Sequence, residues 1–167
     1  MSNERTFHQS APAFINYLGR YRNDRGALAH LRGGLSESRR PRAWPLLGGF
    51  SEQAIGTPAY EVVAALWAYA PELAADDGNM GQTLRHLITS KEATASMEIR
   101  FRRLLACTKE EIPERVAPMV RMAQGKEQRI AYVRLLSDLL WWNERVRIEW
   151  ARSFWRVQEG AVIGEVA

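Results

Sequence analysis

The chain holds a single cysteine, Cys107, so it has no internal disulfide. At the end of the apolar run FRRLLAC, that residue reads as a small buried hydrophobe. Its three histidines, His8, His30 and His86, stand in separate segments, none at the spacing from a carboxylate or thiol that a metal site requires. There is no phosphate-binding glycine loop, no dinucleotide fingerprint and no nucleophile elbow. The longest apolar run, Val62 to Ala70, is nine residues, far short of the roughly 20 that a membrane helix needs. With no signal-peptide pattern and one lone thiol, the cytoplasm is the expected compartment. His86 beside Arg85 is a general base only in principle, and a surface or core histidine is the plainer reading. Asp76–Asp77 reads as a solvated acidic turn. No catalytic residue, metal site or cofactor is expected.

Lysine is also scarce: three Lys stand against twenty Arg, within a net charge of only +4. Residues 1–50 carry eight Arg against three acids, residues 51–99 two basic groups against seven acids, and residues 100–167 thirteen basic groups against nine acids. Guanidinium makes paired contacts to phosphate that ammonium does not. Two basic thirds flanking an acidic middle therefore suggest a polyanion surface together with a protein-docking surface. A GC-rich genome would raise Arg over Lys without any function, so the pattern permits nucleic acid and does not establish it.

At 167 residues the chain suits one domain, or two small helical lobes sharing a core, and should bury about 70% of its unfolded surface. No segment alternates with period 2, and the hydrophobic spacing predicts an all-α compact bundle of about seven to nine helices, with a core over residues 7–157 and a tail at 158–167. Phe14, Tyr17, Leu18 and Tyr21 mark a helix from Phe7 to Tyr21. A second carries Ala27, Leu28 and Leu31 inward and ends at Gly33–Gly34. Ser36 to Thr57 reads as a loop pinned to the core by Trp44. Thr57-Pro58 is a helix start, with the hydroxyl as cap and proline in the first turn. The helix that follows, Ala59 to Ala70, is apolar on most sides and should be the central one. After the polar turn Asp76–Asn79 come a short helix from Gly81 and a longer one from Ala93 to Cys107. Thr108-Lys-Glu-Glu111 is a capping box, and Pro113 and Pro118 should kink or split the helix it starts.

The segment Leu135 to Arg156 packs four of the six Trp and four Arg into 22 residues. From Asn143, a helix cap, Val146, Trp150, Phe154 and Val157 share one face, while Arg145, Arg152 and Arg156 share another with Glu149 among them. An aromatic stripe fringed with guanidinium groups holds Arg rigidly toward a polyanion. The plainer alternative is core on one side and a solvated face on the other. Four arginine sets result: Arg20, Arg22, Arg25 and Arg32; Arg39, Arg40 and Arg42; Arg100, Arg102 and Arg103; and Arg145, Arg147, Arg152 and Arg156. Helical spacing pairs Arg102 with Glu98 and Arg134 with Asp138, leaving Arg100 and Arg103 the freer charges. The aromatics read as buried, so backbone contact fits better than base stacking. No helix-turn-helix reading helix is evident.

The order of the segments resembles the CasB family, the small subunit of the type I-E CRISPR surveillance complex Cascade. The likeness runs over residues 10–157, through ALAHLRGG at Arg32, AWPLL at Trp44, the apolar central helix, NMGQTL at Gly81, E-x-R-F-x-x-L-L from Glu98, LLSDLLWW and RVRIEWARSF. The resemblance implies a non-enzymatic all-helical subunit of antiviral defence. Its implied partners are other Cascade subunits, guide RNA, target and displaced DNA strands and a second copy of itself, with no membrane. Arg32, Arg100, Arg121, Arg145, Arg147 and Arg152 match basic positions of the family pattern, and helical geometry adds Arg103. The loop arginines 39, 40 and 42 match none of the motifs. A purely structural scaffold without direct nucleic-acid contact is the alternative.

Overall fold

A computed structural model describes residues 2–156, with side chains from Ser10 onward. The expected tail at 158–167, and Val157 on the last stripe, lie outside the described residues. Nine α-helices form among the described residues: α1 Ser2–Leu18, α2 Arg25–Arg32, α3 Trp44–Gly48, α4 Pro58–Tyr69, α5 Met80–His86, α6 Lys91–Leu105, α7 Ile112–Gly125, α8 Tyr132–Leu140 and α9 Glu144–Phe154. Short 3-10 turns join several of them, and the one extended pairing among the described residues is an isolated bridge between Ala74 and Ile130. The all-α architecture is therefore the one expected.

The core forms around α4, in which every residue from Ala59 to Ala68 is buried. Helices α2, α7 and α8 pack on it, while α1 packs on α8 and α5 on α9. The approach of α2 needs glycine: a Cβ on Gly34 would collide with the Glu61 carbonyl oxygen, and one on Gly33 would lie 2.7 Å from the Arg39 carbonyl oxygen. These glycines do not end α2 through a left-handed cap, since Gly33 has φ −58° and the chain runs on as a 3-10 turn, Gly33–Leu35. Close backbone packing is what selects them.

Several local expectations change once tertiary partners are present. The loop expected over 36–57 contains α3 and two 3-10 turns, Arg40–Arg42 and Glu52–Ala54. Ala43, Leu47 and Ala54 anchor it in the core, and Trp44, half-buried, packs against that core as expected while donating its indole N–H to Glu61 at 2.7 Å. Thr57 is the residue before α4, but its hydroxyl does not cap the helix. It donates to the Gln53 carbonyl at 2.6 Å. Pro113 and Pro118 do not split α7: Pro113 falls in the first turn, where its missing N–H costs nothing, and the helix continues through Pro118 to Gly125. The reciprocal bonds of the box do form, with the Thr108 N–H on Glu111 Oε2 at 2.9 Å and the Glu111 N–H on Thr108 Oγ1 at 3.3 Å, but they close the turn ahead of α7, whose N-cap residue is Glu111 and not Thr108.

The stripe on α9 is buried as expected at Val146, Trp150 and Phe154, and the Asn143 side chain accepts the Val146 N–H at 3.0 Å. Phe154 stacks on Phe101 of α6 at 4.2 Å between centroids. Helix α9 packs chiefly on α5. There Gly81 admits the Trp150 carbonyl, and Asn79 caps α5 while donating to Ser153 Oγ at 2.9 Å.

Candidate nucleic-acid interface

The fold gathers the seven arginines singled out from the sequence into three places. At the C-terminal end of α4, Arg32 from α2 and Arg121 from α7 converge on the ring of Tyr69. A helix end leaves its last carbonyls without intrahelical partners, and side chains from around the core take them here. Gln124 donates to Leu66 O at 2.7 Å, and Tyr132 to Ala70 O at 2.7 Å. Arg32 donates through Nε and Nη2 to Ala68 O at 3.2 and 3.1 Å. Burial pushes the Tyr132 hydroxyl up to about 12, so it stays a donor at neutral pH. The guanidinium of Arg121 lies 3.7 Å from the Tyr69 centroid and bonds Gln124 Oε1 at 2.8 Å. Among the described residues, neither Arg32 nor Arg121 has a carboxylate ion pair.

The second place is a groove of about 420 Å³ between α6 and α7, lined by Arg100, Arg103 and Arg115 together with Leu104, Cys107 and Met119. Arg100 reaches across to Met122 Sδ at 3.8 Å. The one carboxylate on the groove wall, Glu111, is committed to the capping box, and the Thr108 N–H and hydroxyl hold it below the usual carboxylate range. Burial raises the Cys107 thiol, so it stays protonated and lines the groove as a hydrophobe. Arg147 sits behind this wall, half-buried. It donates to Cys107 O at 2.7 Å, beside the Trp142 indole N–H on the same carbonyl at 2.8 Å.

The third place is the exposed flank of α9, where Arg145 and Arg152 lie with Arg134. This charge is largely compensated. Arg134 bonds Asp138 at 2.9 Å and Glu149 at 2.6 Å, and Arg145 comes within 4.0 Å of Glu149. Burial raises the Asp138 carboxyl, against the pull of the Trp150 indole N–H (2.7 Å) and of Arg134.

The expected Arg102–Glu98 pair does not form. Glu98 instead accepts the Trp155 indole N–H at 3.2 Å, and Arg102 lies 5.7 Å over the same ring. Of the loop arginines, Arg40 faces inward toward Glu61 at 3.8 Å, a carboxylate only 1% exposed. The expectation that the aromatics are buried fails at Tyr69 and Trp155, each 38% exposed. Grouping by nearness in the chain missed Arg115, although its spacing to Met119 and Met122 marks the groove side of α7. No cluster of three or more His, Cys, Asp or Glu able to hold a metal occurs among the described residues, and no helix there is long and apolar enough to cross a membrane.

A family model described as CRISPR-associated protein Cse2 matches residues 27–155. A curated relative of that name from Thermus thermophilus is 35% identical over 101 residues, 58% of this chain; the match spans 56% of the relative's length. The crystal structure of CasB from Thermus thermophilus superposes with a TM-score of 0.71 at 26% identity, covering 88% of this chain and 98% of that one. The M. ruber CasB structure gives 0.69 at 32% identity, over 87% and 92%.

Proposed function

The chain belongs to the CRISPR-associated Cse2 family, known also as CasB, and from that membership we propose a non-catalytic subunit of Cascade that grips nucleic-acid backbone through arginine. It acts as a single domain in the cytoplasm, without cofactor or membrane. Its partners are the other Cascade subunits, a second copy of itself, the guide RNA and both DNA strands. Base pairing reads the sequence, and this subunit supports the guide–target heteroduplex and the displaced strand by charge and shape. The family match over residues 27–155 carries the reading. The chemistry that supports it is the set of guanidiniums at Arg32, Arg121, Arg100 and Arg103, each without a carboxylate ion pair among the described residues. Arg145 and Arg147 belong to the same proposal with less to offer, since Glu149 shares Arg145 and the Cys107 carbonyl holds Arg147; Arg152, exposed on the α9 flank, also has no carboxylate ion pair among the described residues.

A scaffold role is favoured instead by the exposed Ile99 on α6, Ile148 on α9 and Trp155 just after α9, together with the compensated α9 charges. Reversing Arg100→Glu and Arg145→Glu in the assembled complex separates the two. Loss of DNA retention with intact assembly supports the backbone-gripping subunit. Failure to assemble supports the scaffold and contradicts the first reading.

A further inference from the structure

Tyr69 ends a helix whose preceding ten residues are buried, yet its own ring is 38% exposed. Two guanidiniums cover that ring, Arg121 at 3.7 Å from the centroid and Arg32 at 5.1 Å. Neither is loosely held, because Arg32 is tied to Ala68 O and Arg121 to Gln124, which the core fixes in turn. A structural role accounts for Arg32, whose charge and N–H groups suit the carbonyl end of α4. For Arg121 it accounts for the one N–H given to Gln124 but not for a guanidinium laid over a half-exposed ring, with no carboxylate ion pair among the described residues although Glu37, Glu110 and Glu114 line the same cleft. Of the five N–H donors on a guanidinium, Arg32 uses two within the chain and Arg121 one, so most stay available to an anion. Both charges stand on one ring, at one end of α4.

We propose that Arg32, Tyr69 and Arg121 form a seat for one unpaired nucleotide, its phosphate between the guanidiniums and its base against the exposed part of the Tyr69–Arg121 stack. Bases within a duplex are covered by their neighbours and present no free face. An aromatic–guanidinium platform therefore selects single strands. This rests on the nucleic-acid reading above and adds strand selectivity, which gripping by charge alone does not supply.

The test is a fluorescence-anisotropy titration of a labelled oligothymidine and of a duplex of equal length with the full chain. The expected result is that Tyr69→Leu weakens single-strand binding about tenfold and duplex binding by no more than about twofold, while Tyr69→Phe behaves as wild type. Equal losses on both ligands, or none on either, overturn the seat and leave the nucleic-acid reading standing. A wild-type chain that binds neither ligand overturns both. Independently of any variant, a 5-bromouracil single strand should photo-crosslink to the peptide containing Tyr69. Adducts confined to other peptides overturn the seat.

Discussion

At the scale of single residues, the arginines divide by what their nitrogen atoms already touch. Arg147 is a structural guanidinium: it holds the Cys107 carbonyl and lies 5.5 Å over the Trp142 ring. Arg147→Met should therefore lower unfolding stability by about 1.5 kcal/mol, since a charged hydrogen bond is lost while Trp142 still serves the carbonyl. Arg152→Gln, at an exposed position, should stay within about 0.5 kcal/mol. Urea unfolding of the two variants reads this contrast, and equal stabilities contradict it. Helical spacing does mark Arg147, which lies three residues before Trp150 and seven before Phe154, on the edge of the buried stripe. Arg32 and Arg121 carry no such signal, because their partner, Tyr69, is fixed by the meeting of three helices.

At the scale of elements, the Asn143 cap and the α9 stripe were legible because their physics is local, while Thr57 gives its hydroxyl to Gln53 instead of capping α4. The Thr108–Glu111 box and the Asn143 cap depend on neighbours three residues away, which the sequence displays. The hydrogen bonds from Thr108 hold Glu111 below the carboxylate value of the unfolded chain, so its contribution is present above that value and disappears as the pH falls through the folded one. Thermal melts of Glu111→Ala should show a Tm deficit at neutral pH that shrinks as the pH falls below the unfolded carboxylate range. A deficit independent of pH contradicts the box as its source. Packing between elements was less legible. Trp44 reads as a core anchor and is one, yet its bond to Glu61 is not displayed by the sequence, and Glu98 is taken from Arg102 by Trp155, a residue 57 positions away. Gly81 reads only as a helix start, whereas the structure uses it to admit the Trp150 backbone. Gly81→Ala should cost about 2–3 kcal/mol by forcing α9 off α5. Gly125→Ala, with open space around it, should cost nothing or stabilise slightly. Calorimetric melts of the pair decide, and a tolerated Gly81→Ala would refute the close approach.

At the scale of the whole molecule, an apolar interior holds arginine in three places around one core, and the three are not electrostatically alike. The arginines of the α4 end and the α6–α7 groove make no carboxylate ion pair among the described residues, though Glu111 lines the groove and Glu37, Glu110 and Glu114 share a cleft with Arg121, while the α9 flank is largely neutralised by Asp138 and Glu149. Summed composition, at +4, hides this division. It emerges only when folding decides which acids reach which bases. The central claim is that these fixed charges bind sugar–phosphate backbone irrespective of sequence. Its most direct measurement is the affinity of the full chain for single strands of differing sequence across a salt series. With about four phosphates neutralised, log affinity against log salt should fall with a slope of about −3, the same for every sequence. A slope near zero, or a strong preference for one sequence, contradicts the account.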